Sequence, residues 1–233
     1  MKVELINEPT LEFTDKAIGE CYDKGCYTDV DKRDNRIKKV ALKAKHSSVL
    51  EFTEFIFEIT ASTKVLLEQT RHRVASYACK SSRYTLNKGE IVFESTGDKE
   101  IDHLLSKWKR TIEEEVSKGK SNEITSLMLP QVYQYRWVVK FNARSLQNFL
   151  ALRRASSAHF HIRDVAEAMY DEIPNDMKYL FDKEAGQTCE NCAYYQEQYD
   201  DKNCSTDTIF KCILFDYPHK KSYGCIEWNK KES

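Results

Sequence analysis

The stretch EFTEFIFEIT, residues 51 to 60, alternates apolar and polar side chains and is rich in Phe, Ile and Thr. Side chains of an extended strand point alternately to its two faces, so this pattern dictates a strand buried on one side and wet on the other. Such a strand needs neighbours for its edges and a layer to cover its apolar face. YRWVVKFN, residues 135 to 142, is β-branched and aromatic and reads as a second strand. VELI near the start and IVFES after Gly89 read as two more, with a short helix following the first. The intervening segments have helical spacing. ASTKVLLEQTRHRVAS, from Ala61, offers Val65, Leu66 and Thr70 as a buried stripe. IDHLLSKWKRTIEEEVSKG sets Ile101, Leu104, Leu105, Trp108 and Ile112 on one face and ends at Gly119. NARSLQNFLALRRASSAHFHIRDVAEAMY is a long helical stretch to about Tyr170, with Asn142 where an N-cap belongs. Strands and helices mix without a βαβ rhythm, which predicts an α+β fold.

The 233 residues suit one substantial domain, or one domain and a small appendage. Lys and Arg number 36 against 37 Asp and Glu, giving a formal net charge of −1. General nucleic-acid binders are basic overall, so no nucleic-acid partner is expected, and any anion site must be a local concentration of Arg and Lys. The opening MKVELINEPT lacks a charged-then-apolar signal pattern, and no apolar run approaches the roughly 18 residues of a membrane span, so a cytoplasmic location is expected. Pro174, Asn175 and Gly186 mark a loosening of the chain, which divides it into residues 1–185 and a tail of 186–233.

Of eight cysteines, Cys21, Cys26 and Cys79 are scattered, and Cys189, Cys192, Cys204, Cys212 and Cys225 crowd the tail. Clustered cysteines with a CxxC in a cytosolic chain read as a metal site rather than as disulfides. Cys189, Cys192, Cys212 and Cys225 are the expected ligands of a structural zinc, leaving Cys204 over and His219 as an outside candidate. Four thiolates leave no open coordination position, so a catalytic role is not expected. An iron–sulfur cluster or unligated thiols remain open alternatives.

Two strings carry chemistry. RHRVASYACKSSR, residues 71 to 83, places Arg forks beside hydroxyls, a combination suited to phosphate or carboxylate recognition. Its bland alternative is a solvated basic helix end. In NARSLQNFLALRR, Asn142, Ser145 and Phe149 share one helical face, Asn148 lies a turn below Arg144, and Arg153 comes back near that face about three turns on. A polar stripe on a mostly apolar helix needs partners, which salt bridges at a surface would also provide.

Together these strings resemble the flavin-dependent thymidylate synthases. That family's RHRxxSxNxxSxR pattern is met by Arg71, His72, Arg73, Ser76, Ser81 and Arg83, and its NARSLxNFLxLR helix by Asn142 through Arg153. Upstream, HSSVLEF is similar to the family's H-x-[ST]-x-x-E-H, with His46 and Ser48 in register. The resemblance covers roughly residues 1 to 175 and leaves out the cysteine tail. It implies a homotetramer with a mixed sheet and long helices, FAD reduced by NADPH, and reductive methylation of dUMP by methylenetetrahydrofolate. It further implies that His46, Ser48, Arg71, His72, Arg73, Asn142, Arg144 and Asn148 contact FAD. Glu68, Cys79, Lys80, Ser81, Ser82 and Arg83 match positions around the nucleotide, and Arg153 the catalytic arginine against the uracil ring. A guanidinium at that ring edge stabilises the negative charge that develops when carbon 5 is methylated. No enzyme nucleophile is then required, and Cys79 is expected to be an ordinary half-buried cysteine.

The chain departs from the family pattern at five positions: Phe52 replaces a His, Ala78 an Asn, Cys79 a residue that is often Glu, Glu68 a Gln, and Ser126 an Arg before the LP of SLMLP. Loss of one charge-assisted phosphate contact at Ser126 costs roughly 1.5 to 3 kcal/mol. Arg154, Lys80 and Arg136 are the cations available to compensate, and Gln69 directly follows Glu68. The flavin side is better kept than the nucleotide side. The alternatives are an enzyme modifying carbon 5 of another pyrimidine nucleotide and a non-catalytic nucleotide-binding relative.

Overall fold

The computed structural model describes residues 1–182 and, in the tail, the strand backbones of residues 195–198, 209–212 and 217–219. Contacts divide the chain into two units, Met1–Leu180 and Phe181–Ser233.

The first unit is built on a four-stranded sheet in the order β1-β2-β4-β3, with β1 Lys2–Leu5, β2 Glu54–Ser62, β3 Ser76–Cys79 and β4 Gln134–Asn142. Every pairing is antiparallel. The central pair runs nine residues, from Glu54 opposite Asn142 to Ser62 opposite Gln134. Its register sets Phe55 against Phe141, Phe57 against Val139 and Ile59 against Trp137, and all six side chains are buried. Each such burial is worth about 1.5–3 kcal/mol, so this one face dominates the stability of the sheet. The predicted alternation is therefore present, but the strand starts at Glu54. Residues Ser47–Phe52 form a 3-10 turn instead, with Val49 and Leu50 buried beneath it.

Helices α1 Glu12–Cys21 and α2 Val30–Ile37 precede the sheet core. They are tied by Asp15, which is 1% exposed and accepts from the Arg36 guanidinium at 2.7 Å and from the Tyr27 amide at 2.8 Å. Helix α3, Thr63–Gln69, leaves β2 directly and is shorter than its spacing predicted. Tyr77 Oη donates to the carbonyls of Gln69 at 2.7 Å and His72 at 3.0 Å, turning the chain into β3. Val65 and Gln69 are buried on α3 and Leu66 is half-buried, whereas Thr70, at the helix end, is exposed. Helix α4, Ser82–Thr85, follows β3.

IVFES forms a single bridge, Phe93 to Tyr133, rather than a strand: the Glu94 amide donates to the Val132 carbonyl and the Gln134 amide to the Val92 carbonyl, both at 2.9 Å, while the Glu94 carboxylate accepts from the Ser62 amide at 3.0 Å. Helix α5, Lys99–Ser117, follows, and only Ile112 is buried on it. Ile112 joins Leu86, Ile91 and Tyr133 in a second, smaller core. Of the rest of the expected stripe Leu105 is half-buried, whereas Ile101 is 49%, Leu104 62% and Trp108 43% exposed, and Leu127 is 85% exposed. Helix α6, Asn122–Thr125, leads to β4.

The long C-terminal helical stretch is two helices, α7 Ala143–Arg153 and α8 Phe160–Asp171. The break lets α8 fold back, burying Ile162, Val165, Ala166 and Met169. His159 caps α8 by accepting from the His161 amide. Arg154 fastens the pair, donating to Glu167 at 2.8 Å and lying 3.9 Å from the Tyr170 ring centroid.

In the second unit, β5 Tyr195–Gln198, β6 Ile209–Cys212 and β7 Tyr217–His219 form a three-stranded antiparallel sheet, with Cys212 opposite Tyr195 and Tyr217. The proposed zinc ligands Cys189, Cys192 and Cys225, the spare Cys204, and the side chains of Cys212 and His219 lie outside the described residues. Among the described residues no group of three or more His, Cys, Asp or Glu is placed to hold a metal, and no helix is long and apolar enough to cross a membrane.

Candidate active site

Helix α7 starts where β4 ends, so Asn142 is at once the last strand residue and the N-cap. Its side chain accepts from the Ser145 amide at 2.8 Å, as a residue with a short side-chain acceptor does at this position. The cap aims the first turn of α7 at the loop that follows α3. There the turn closed by the His72 amide on the Gln69 carbonyl, at 2.9 Å, sends the three residues of RHR in different directions. His72 turns inward, where its Nε2 lies 2.7 Å from Ser145 Oγ and its ring meets Phe141 and Phe149 at centroid distances of 5.5 and 5.8 Å. Arg71 and Arg73 are exposed, with no ion pair or hydrogen bond among the described residues. Burial, and secondarily the charge of Arg153, lowers the His72 pKa from its ordinary value, so the ring is neutral at pH 7.

At the far end of α7, Arg153 reaches back to α3. Its Nη2 donates to the Glu68 carbonyl at 3.3 Å, and its Nη1 is 3.8 Å from the Glu68 carboxylate. Lys64 holds the other oxygen of that carboxylate at 3.0 Å. The Glu68 and Arg153 side chains are only 13% and 23% exposed, so their charges are partly sheltered from solvent. Gln69 cannot stand in for the missing glutamine: it is buried, accepting from Trp137 Nε1 at 2.7 Å.

The His46 segment lies beside α7, joined by Arg144 to Glu51 at 2.7 Å. His46 Nδ1 is 3.3 Å from Tyr22 Oη, and His46, Ser48, Arg144 and Asn148 are all exposed. Phe52, standing where the family pattern has a His, is 58% exposed.

Of the expected nucleotide-side residues, Cys79 to Arg83 run from the edge strand β3 to the start of α4, while Glu68 is on α3 and Arg153 on α7. Lys80 continues the ladder, its amide donating to the Arg136 carbonyl at 2.9 Å. Cys79 is exposed rather than half-buried, because β3 is an edge strand, although the atoms packed around it still push its thiol pKa up. A raised pKa means a protonated thiol, unsuited to nucleophilic attack at neutral pH. Ser81 and Arg83 are exposed, and Ser82 is half-buried. Arg83 pairs with Glu123 at 2.5 Å, and the Ser126 hydroxyl donates to the Glu123 carbonyl at 3.1 Å. The position that lost its arginine thus adjoins Arg83, and the nearest acid, Glu123, already occupies that cation. Of the three cations that could compensate, Arg154 is committed to Glu167, which leaves Lys80 and the exposed Arg136.

Ser145, Tyr77 and Glu123 were missed as site residues by reasoning from the sequence alone. Ser145 had a signal, a hydroxyl three residues after an N-cap on the face shared with Asn142. Tyr77 and Glu123 had none, because Tyr77 bonds backbone carbonyls of the turn before it, which any residue type offers, and the partner of Glu123 is set by the approach of α6 to α4.

A family model for the thymidylate synthase complementing protein matches residues 11–177. The chain is 32% identical over 201 residues to the flavin-dependent thymidylate synthase of Campylobacter jejuni strain RM1221, covering 78% of this chain and 96% of that protein. It is 31% identical over 198 residues to that of Wolinella succinogenes, covering 78% and 97%. The crystal structure of Thymidylate Synthase X from Helicobacter pylori with FAD and dUMP superposes with a TM-score of 0.72 at 28% identity, covering 78% of this chain and 98% of that one.

Proposed function

The chain belongs to the thymidylate synthase complementing protein family, and from that premise we infer that it is a flavin-dependent thymidylate synthase, binding FAD and methylating dUMP. The observation that carries this is the meeting of the two family strings in space: His72 of RHR lies 2.7 Å from Ser145 of NARSL, and Arg153 closes on Glu68 just before RHR. The donor set fits FAD, because Arg71 and Arg73 are exposed cations unspent on protein acids among the described residues, as a pyrophosphate requires. His46, Ser48, Arg71, His72, Arg73, Asn142, Arg144 and Asn148 would hold FAD. Glu68, Cys79, Lys80, Ser81, Ser82, Arg83 and Arg153 would hold dUMP. When bound, FAD supplies the hydride chemistry, with NADPH as its reductant and methylenetetrahydrofolate as the one-carbon donor. Arg153 supplies positive charge at the pyrimidine edge, held in place by the Glu68 carbonyl and carboxylate.

The assembly we propose is a homotetramer. The uncovered apolar face of Ile101, Leu104, Trp108 and Leu127 supports burial against another copy. For the tail we propose a structural zinc on Cys189, Cys192, Cys212 and Cys225, supported by the CENC spacing. Metal analysis should find about one zinc per chain, and unchanged content after joint Cys189→Ser and Cys192→Ser substitution would refute that ligand set.

Purified protein reconstituted with FAD should be yellow and should release tritium from carbon 5 of dUMP when NADPH and methylenetetrahydrofolate are present. A protein that stays colourless in FAD refutes the flavoenzyme assignment. Turnover confined to another pyrimidine nucleotide would refute dUMP and make Ser126, Glu68, Ala78 and Cys79 marks of altered specificity.

A further inference from the structure

We propose that Ser145 is a positioning residue that locks His72 as the neutral Nε2–H tautomer, so that Nδ1 of His72 accepts a hydrogen bond from an N–H or O–H group of the bound flavin nucleotide while its phosphates fall to Arg71 and Arg73. The ligand half of this proposal rests on the FAD-binding reading above.

The tautomer follows from counting protons. Ser145 Oγ carries one, and it is donated to the carbonyl of Val74, which can only accept. The Asn142 side chain takes the backbone amide of Ser145 and leaves the hydroxyl alone. At 2.7 Å from the same Oγ, His72 Nε2 must therefore be the donor. A second proton on the ring is opposed by burial against Phe141 and Phe149 and by the charge of Arg153. Nδ1 keeps its lone pair, and no group among the described residues meets it. A lone pair facing a phosphate oxygen, itself only an acceptor, is repulsive. The middle residue of RHR is therefore not a third cation of an anion site. It discriminates in favour of neutral donors between two cations.

The test is long-range proton–nitrogen NMR on the full chain with 15N-labelled histidine, with and without FAD, His72 being assigned through the His72→Gln variant. At pH 7, Nε2 should be of the protonated type and Nδ1 of the unprotonated type, and the Nδ1 signal should move toward the hydrogen-bonded range when FAD is added. Ser145→Ala should mix the tautomers and weaken FAD binding roughly tenfold. The wild-type spectra alone decide the tautomer if Ser145→Ala folds poorly. A protonated Nδ1, or a doubly protonated ring at pH 7, overturns the proposal. FAD uptake with the Nδ1 signal unmoved overturns it while leaving the enzyme assignment standing. A chain that takes up no FAD overturns both.

Discussion

Replacing Arg153 by alanine should remove catalysis and spare the fold. The side chain makes one long hydrogen bond, 3.3 Å to the Glu68 carbonyl, and a 3.8 Å approach to the Glu68 carboxylate. Glu68 keeps Lys64 at 3.0 Å after the substitution, so no buried carboxylate is left unpaired. The structural loss is therefore about 1 kcal/mol or less, a shift in Tm within about 4 °C for a chain of this size. The catalytic loss is larger. A fixed donor aimed at charge that appears only in the transition state is worth about 2.7–4 kcal/mol, or roughly 10²- to 10³-fold in kcat. Tritium release from dUMP on FAD-reconstituted protein measures the rate, and flavin absorbance with a thermal melt measures integrity. A rate within tenfold of the parent protein would refute the placement of Arg153 at the reacting ring. A comparable loss accompanied by loss of FAD, or by a Tm drop beyond about 10 °C, would show its role to be structural.

Three further outcomes are expected. Asn142→Ala removes the cap of α7 and should cost about 0.5–2 kcal/mol; chemical denaturation measures this, and Asn142→Asp should recover most of it. Asp15→Asn leaves the Arg36 guanidinium, 11% exposed, without its counter-charge; breaking a buried pair costs about 3–5 kcal/mol, and a Tm drop under about 6 °C would show the pair to be dispensable. The folded-state pKa of His72 lies below its ordinary 6.5, so the unfolded chain takes up this proton first as pH falls. The contribution of His72 is thus fully present above about pH 6.5 and declines as pH drops from there toward the folded pKa; Tm measured across that window should fall less steeply in His72→Gln.

The strands were legible wherever one face had to be buried. EFTEFIFEIT announces its alternation and YRWVVKFN its β-branched and aromatic content, and the strands they form pair along nine residues. The helix starting at Ala143 was equally plain, because Asn142 is a local cap whose action needs only the next three residues. Errors fell where a distant partner decides. The α5 stripe of Ile101, Leu104 and Trp108 is helical as expected yet uncovered, since amphipathicity fixes a face but not what lies against it. The break after Arg153 was invisible because Arg154, Glu167 and Tyr170 come together only once α8 has folded back.

The same division runs through the site. By itself the sequence determined the residue types, two arginines around a histidine and an asparagine-capped helix ending in arginine, and with them the family. Only the tertiary structure decided what each does. It turned His72 inward onto Ser145 and left Arg71 and Arg73 outside, since a turn closed on the Gln69 carbonyl separates neighbours that a string of letters keeps together. It gave Gln69 to Trp137 and Glu68 to Arg153, because burial accepts the side chain that can satisfy a buried donor and rejects a carboxylate that cannot be paired there.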